Sequence, residues 1–329
     1  MFQARVDTSW TKHDLRAVIL ENSLLRVVIL PEVGARIYHL VYKPLDTNLL
    51  WNHPRIRPAR LPFGARYDDV WPGGWDELFP NNEPGVINGE LFPDHGEIWS
   101  VEWDSETAES ADGVSASFYC RTRISDVSIK KTVSLRSGEP KVRVSYSLKN
   151  ASGTAIPILW NLHVAMDVSE HHRIEFPPMK VRVEPTYPGT LVGAPDKSSW
   201  PLITGPQGTV DLRKVPPASK KKLHFFYGLN LAEGWCGVTN THLRLACGLN
   251  FDQSVFPCCW LFGSFGGWRN LNVAVLEPST GYPFSMERAI QNKTCAWLDV
   301  GQVIETSVIF GVAEGLASIR GISPQGDIS

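Results

Sequence analysis

No stretch of this chain stays apolar for the length a membrane-crossing helix needs. The opening residues, MFQARVDTSWTKHDLRAV, also lack a basic segment followed by an apolar one and a small-residue cleavage site. The expectation is a soluble, cytoplasmic protein. Charge of one sign is missing too, since 32 Lys and Arg face 34 Asp and Glu for a formal net charge of -2. Nucleic acids and anionic membrane surfaces require a basic footprint, so neither is expected as a partner and a small neutral ligand fits better. Cysteine is scarce, with six residues (Cys120, Cys236, Cys247, Cys258, Cys259 and Cys295) and no CxxC spacing. Neither a disulfide framework nor a zinc site is suggested, and no metal or cofactor is expected. Helical periodicity is nearly absent, the best candidate being the short run SMERAIQ, Ser285 to Gln291, with Ser285 as its cap.

What the chain has in quantity is alternation. At 329 residues and 43% hydrophobic content it can bury a large core. Val114, Ala116, Phe118 and Cys120 alternate with polar residues, as do Val127, Ile129, Lys131, Val133 and Leu135, and then Val142, Val144, Tyr146 and Leu148. Turn residues bound each run, which predicts an antiparallel meander. Further strands are predicted at 16–20, 25–30, 36–41, 156–163, 181–184, 223–227, 243–251, 259–265, 271–276, 295–298 and 303–312. So many short strands imply an all-β sandwich or barrel. Cys258 and Cys259 read as small apolar strand residues. The Pro-, Gly-, Ser- and Lys-rich stretch from Pro185 to Lys222 reads as a long excursion within one sheet system, so residues 1–329 are expected to form a single domain.

Three segments carry candidate chemistry. In WPGGWDELFPNNEPGVINGELFPDHGEIW, Trp71 to Trp99, Gly and Pro are frequent enough to predict irregular structure. Trp71, Trp75 and Trp99 offer flat faces, Asp76, Glu77, Asp94 and Glu97 offer acceptors, and His95 offers the segment's one imidazole. Flat faces beside hydrogen-bonding rims suit a sugar ring. In ILWNLHVAMDV, strand alternation puts Asn161 and His163 on one face. In NVAVLEPSTGYPF, Glu277 stands at a strand end that Pro278 closes. Taken singly, each of these residues also fits a plain structural role; their clustering is what points to a site.

In order along the chain, LLRVVILPEVGARIYHL, GGWDELFPN, PDHGEIW, WNLHVAMDV, NFDQSVFPCCWLF and LEPSTGYP make a set that resembles the galactose mutarotase (aldose 1-epimerase) superfamily over most of its length. The resemblance implies one large antiparallel β-sandwich, a galactose mutarotase-like supersandwich, whose groove binds a monosaccharide. It implies Glu277 as general base and His163 as general acid, with His95 and Asp252 as sugar ligands. Asp76 and Glu77 follow as substrate contacts and Arg66 as the site arginine; apart from the resemblance, Asn161, on the strand face of His163, and the flat rings of Trp75 and Trp260 are expected neighbours of the sugar. Anomer interconversion requires a proton taken from the C1 hydroxyl while the ring oxygen is protonated, so one base and one acid suffice, each contributing roughly 10² to 10⁴ in rate.

Two alternatives accompany this reading. Arg55, Arg57, Arg60 and Arg66 in RIRPARLPFGAR suit a hexose-phosphate mutarotase, although no Gly-rich phosphate loop accompanies them. A non-catalytic carbohydrate-binding protein would keep the groove without opening the ring. A glycoside hydrolase would need a carboxylate pair across the scissile bond, for which Glu277 and Asp252 are the available residues.

Overall fold

The computed structural model describes residues 3–187, 189–191, 198–205 and 208–329. Antiparallel strands dominate, and the α-helices among the described residues are the four-residue Tyr67–Val70 and the seven-residue Met286–Asn292. No helix among the described residues is long and apolar enough to cross a membrane. The chain falls into two compact units, Met1–His163 with Thr280–Val308, and Val164–Ser279 with Ile309–Ser329.

The first unit is a two-layer sandwich. One layer is a meander of β1 (Arg5–Lys12), β2 (Leu15–Glu21), β3 (Leu25–Leu30) and β4 (Arg36–Tyr42), extended by the strand Trp75–Leu78, which joins β4 where Ile37 faces Trp75. The other layer is the predicted meander, with strands Asp104–Glu109, Gly113–Arg121, Val127–Arg136 and Lys141–Asn150. Its alternating apolar residues point inward, as a half-buried antiparallel sheet requires. Lys131 keeps the inward phase of that alternation and is wholly buried. Its ammonium reaches the opposite layer, 3.1 Å from the Ala35 carbonyl and 2.8 Å from Glu77.

In the second unit, strands Lys180–Val183, Lys222–Leu229, Cys258–Phe265 and Asn272–Ser279 pair antiparallel. Strand Trp235–Asn240 pairs with both His172–Glu175 and Leu245–Phe251. Cys258 and Cys259 are buried strand residues there.

Local expectations were met unevenly. Ser285 caps the Met286–Asn292 helix by accepting from the Arg288 amide. The run 156–163 is two strands, Ile156–Ile158 and Asn161–Met166, because the amides between them turn aside: Leu159 N donates to the Pro80 carbonyl and Trp160 N to the Thr280 hydroxyl. The stretch 185–222 contains the short strands Ser198–Ser199, Leu202–Gly205 and Gly208–Asp211, while 188, 192–197 and 206–207 lie outside the described residues. The largest correction concerns Trp71 to Trp99. It is not irregular throughout, since it holds the strand Trp75–Leu78 and a small hairpin of Gly85–Ile87 with Glu90–Phe92, and residues 71–82 are all buried. Pairing with β4 and two buried ion pairs outweigh the local glycines and prolines.

Candidate functional site

Strand Trp75–Leu78 sets the geometry. Successive side chains on a strand point to opposite faces, so Trp75 and Glu77 turn into the sandwich and Asp76 turns out of it. On the inner side, Glu77 receives the Tyr146 hydroxyl at 2.7 Å and the Lys131 ammonium at 2.8 Å. Lys131 also lies 6.0 Å from the centre of the Trp75 ring. Burial pushes the Glu77 carboxyl up and the Lys131 ammonium down, while their mutual contact and the Tyr146 hydrogen bond to Glu77 oppose that desolvation.

On the outer side, Asp76 has no exposed surface. One carboxylate oxygen meets the Arg36 guanidinium at 2.7 Å and accepts the Tyr67 hydroxyl at 2.8 Å, and the other lies 3.2 Å from Nδ1 of His163. Burial alone would raise the Asp76 carboxyl, but the Arg36 charge and the hydrogen bonds from His163 and Tyr67 outweigh it and hold the group below its ordinary value. Arg36 is correspondingly raised and also donates to the Gly73 carbonyl at 2.8 Å. Tyr67 is buried beside a carboxylate, which raises its hydroxyl well above the usual range and keeps it a donor.

These contacts fix a tautomer. An ionised carboxylate accepts only, so the proton between Asp76 and His163 sits on Nδ1. The Tyr67 oxygen, 3.1 Å from the same nitrogen, shares that proton while its own goes to Asp76. Nε2 is therefore the nitrogen through which His163 acts on anything bound beside it. His163 retains 7% exposure. Its ring also meets Trp71 edge-on, with centroids 5.2 Å apart.

The PDHGEIW turn brings the second histidine to the same tyrosine. His95 stacks on the Tyr67 ring at 4.1 Å and 12°, and its Nδ1 lies 2.8 Å from Asp94. Asp94 in turn accepts the Tyr67 amide at 2.9 Å. His95 and Gly96 both take positive φ, and a Cβ on Gly96 would sit 2.1 Å from the Phe79 carbonyl. Glycine is required there for the loop to lie against the chain at Phe79. Two histidines, each oriented through Nδ1 by an aspartate, thus flank one buried tyrosine.

The remaining predicted residues stand elsewhere. Arg66 is exposed and lies 3.6 Å from Asp69. Asn161 is buried on the strand that carries His163 and donates to Asn82 at 3.4 Å. In the second unit, Glu277 is buried within Asn272–Ser279, facing Trp260 across the strand pair, and it is not the strand end expected from the sequence, because Pro278 and Ser279 continue the pairing opposite Cys259 and Cys258. Trp260 is itself buried against Tyr227, with ring centroids 5.1 Å apart. Asp252 is exposed, and its carboxylate accepts the Ser254 amide at 2.8 Å to close a turn. Sequence reasoning missed Arg36 and Tyr67. An arginine in phase with an outward strand face reads as solvated, and Tyr67 sits in a helix too short to show periodicity. A cavity of about 610 Å³ over the outer face of the second layer, lined in part by Tyr119, Arg123, Lys130 and Lys149, takes in Glu97 alone of the candidate residues named from the sequence. Among the described residues, no group of three or more His, Cys, Asp and Glu is placed to hold a metal ion.

No protein-family model matches the chain, and no curated protein matches it. Solved structures do match. A candidate aldose 1-epimerase from Klebsiella pneumoniae superposes with a TM-score of 0.74 at 13% identity, over 94% of this chain and 83% of that one. A galactose mutarotase related enzyme from Lactobacillus acidophilus gives 0.61 at 12% identity, over 93% and 100%. A galactose mutarotase-like protein from Lactobacillus casei gives 0.60 at 14% identity, over 90% and 100%. At such identities the likeness is one of fold.

Proposed function

On the premise of a galactose mutarotase-like, all-β fold, we propose that this protein is an aldose 1-epimerase-like isomerase that interconverts the anomers of a monosaccharide, acting in the cytoplasm with the whole chain as one functional domain. The observation that supports this is the anchored His163. A histidine whose Nδ1 proton is committed to a buried carboxylate presents Nε2 in a fixed direction, as a proton donor to an ether oxygen must.

In the proposed mechanism, protonated His163 gives its Nε2 proton to the ring oxygen while the Glu277 carboxylate takes the proton of the C1 hydroxyl. The C1 to ring-oxygen bond breaks and C1 becomes an aldehyde. Rotation about the C1–C2 bond presents the other carbonyl face, and the two proton transfers then reverse. Asp76, Arg36 and Tyr67 keep His163 in the required tautomer and disfavour its drifting from the carboxylate. His95 and Asp252 serve as hydroxyl ligands, with Asn161, Arg66 and Trp260 as further neighbours of the sugar. Trp75 and Glu77, turned into the core, support the strand that carries Asp76. Neutral aldoses are favoured over their phosphates because no Gly-rich phosphate loop accompanies Arg55, Arg57, Arg60 and Arg66.

The test is NMR exchange spectroscopy on a panel of free and phosphorylated aldoses. Glu277→Gln and His163→Asn should each slow anomer exchange by roughly 10² or more while leaving sugar binding largely intact. Exchange near the wild-type rate in folded, sugar-competent Glu277→Gln would assign the base to another residue. A panel silent throughout, with binding preserved, would favour the non-catalytic carbohydrate-binding reading.

A further inference from the structure

Of the twelve tryptophans in the chain, Trp10 on β1 stands out for its 61% exposure. It is not a loose surface aromatic. Its indole Nε1 donates to Asp7 at 3.0 Å, and the other Asp7 oxygen accepts the Ser9 amide at 2.8 Å and the Ser9 hydroxyl at 2.6 Å. A register shift between Asp7 and Trp10 in the β1–β2 pairing accompanies this turn. The indole is held open to solvent by a local network that a plain edge strand does not need.

Beside it lies a cavity of about 340 Å³ on the outer face of β1 to β4. Ala17, Ile19, Val28 and Val41 form its apolar floor, and Lys12, Arg26, Glu21 and His39 supply polar walls. Glu21 is held by three cations, Arg5 at 3.1 Å, Arg26 at 3.3 Å and Lys43 at 2.6 Å, so the acceptor side of the wall is ordered. Burial pushes His39 down to about 4, so it meets a ligand as a neutral donor and acceptor. The volume falls within the range of small-molecule sites.

The same face leads toward His163. Val28 faces His39 and Leu30 faces Arg36, with the register shifting between them, so the bulge at Tyr38 brings Arg36 and His39 to one side although they are three positions apart in sequence. They lie about 10 Å apart along β4. Tyr38 stands between, stacked on His39 at 4.6 Å.

We propose that this cavity is a carbohydrate-binding subsite, distinct from the His163 cluster, in which a pyranose unit of an oligosaccharide stacks on Trp10. A pyranose presents a face of C–H bonds, slightly positive, to the negative face of the indole. Its hydroxyls both donate and accept, which matches walls carrying cations, a carboxylate and a neutral imidazole. A protein strand adding to this edge is disfavoured by the charges along β1, including Arg5, Asp7 and Lys12. The subsite stands independently of the isomerase reading.

The test is titration calorimetry of the full chain with linear gluco-, galacto-, manno- and xylo-oligosaccharides of two to four units, alongside the parent monosaccharides. At least one oligosaccharide should bind wild type about tenfold more tightly than its monosaccharide, and Trp10→Ala should remove that gain. Trp10→Phe should keep part of it. Monosaccharide anomer exchange should be unchanged in Trp10→Ala, because Trp10 lies outside the His163 cluster. Loss of exchange in His163→Asn with the oligosaccharide gain intact would support the subsite whatever becomes of the isomerase reading. If no oligosaccharide outbinds its monosaccharide, or Trp10→Ala binds as wild type does, the proposal is overturned. It is overturned equally if Trp10→Ala alters only a self-association seen by sedimentation velocity.

Discussion

Replacing Asp76 by asparagine changes almost no volume and removes one buried charge. At 2.7 Å and an effective dielectric constant of about 20, its attraction to Arg36 is about 6 kcal/mol before desolvation is subtracted. Removing one partner of a buried pair generally costs about 3–5 kcal/mol, because the other charge stays buried without compensation. Asp76→Asn should therefore lower unfolding stability by that amount at neutral pH, measured by urea denaturation. The carboxyl is depressed in the folded state, so its contribution is present above its unfolded value near 3.9 and is lost as pH falls through the folded value. The gap between variant and wild type should close in acid. Arg36→Met should cost a similar amount, and the double variant should cost much less than the sum, since neither charge is then stranded. Activity should behave otherwise. Asparagine can donate to Nδ1 as readily as accept from it, so both Asp76→Asn and the double variant should lose about 10² or more in anomer exchange, with stability recovered only in the second. A single variant that is folded and exchanges within about threefold of wild type would refute the tautomer argument. One that unfolds at the wild-type urea midpoint would refute the ion-pair argument.

Two further outcomes follow from buried groups. His224 is 4% exposed, its Nδ1 has no hydrogen-bond partner, and burial, with Lys222 nearby, pushes it down to about 4. A depressed imidazole contributes stability that is complete above its unfolded value near 6.5 and is lost toward pH 4, here ~3 kcal/mol; His224→Phe should flatten the urea midpoint between pH 7 and pH 4.5. Lys131→Met should lower the melting temperature sharply by stranding Glu77, whereas Lys131→Met with Glu77→Leu should restore or exceed it; equal melting of both variants would count against the pair.

Much of the fold was legible because a two-residue period needs only local sequence. The strands at 127–136 and 141–150 follow directly from the alternation of Val, Ile and Leu. Lys131 was legible in position and not in partner, since nothing near it in sequence announces that Glu77 lies across the sandwich. The site was legible as a cluster of residue types. Asp76 and Glu77 were grouped because they are adjacent, yet adjacency on a strand is what sends them to opposite faces, and reading WDEL as a strand would have separated them. Arg36 and Tyr67 were hidden because their roles come from contacts with residues 40 and 96 positions away.

The strand Trp75–Leu78 is only four residues long, paired on one side with β4, where Ile37 faces Trp75, and on the other with the strand that carries His163. Its two carboxylates reinforce that alignment from opposite faces. Slipped by one position, Glu77 would face outward to Arg36 with a side chain one methylene too long, and Lys131 would meet an uncharged neighbour in the sealed interior. Apolar strands normally select their register by which residues reach the core; this one works as a key cut on both edges, turning only where an arginine lock and a lysine lock align. Mutations that loosen the lysine side, far from any sugar, should therefore surface as disorder around His163.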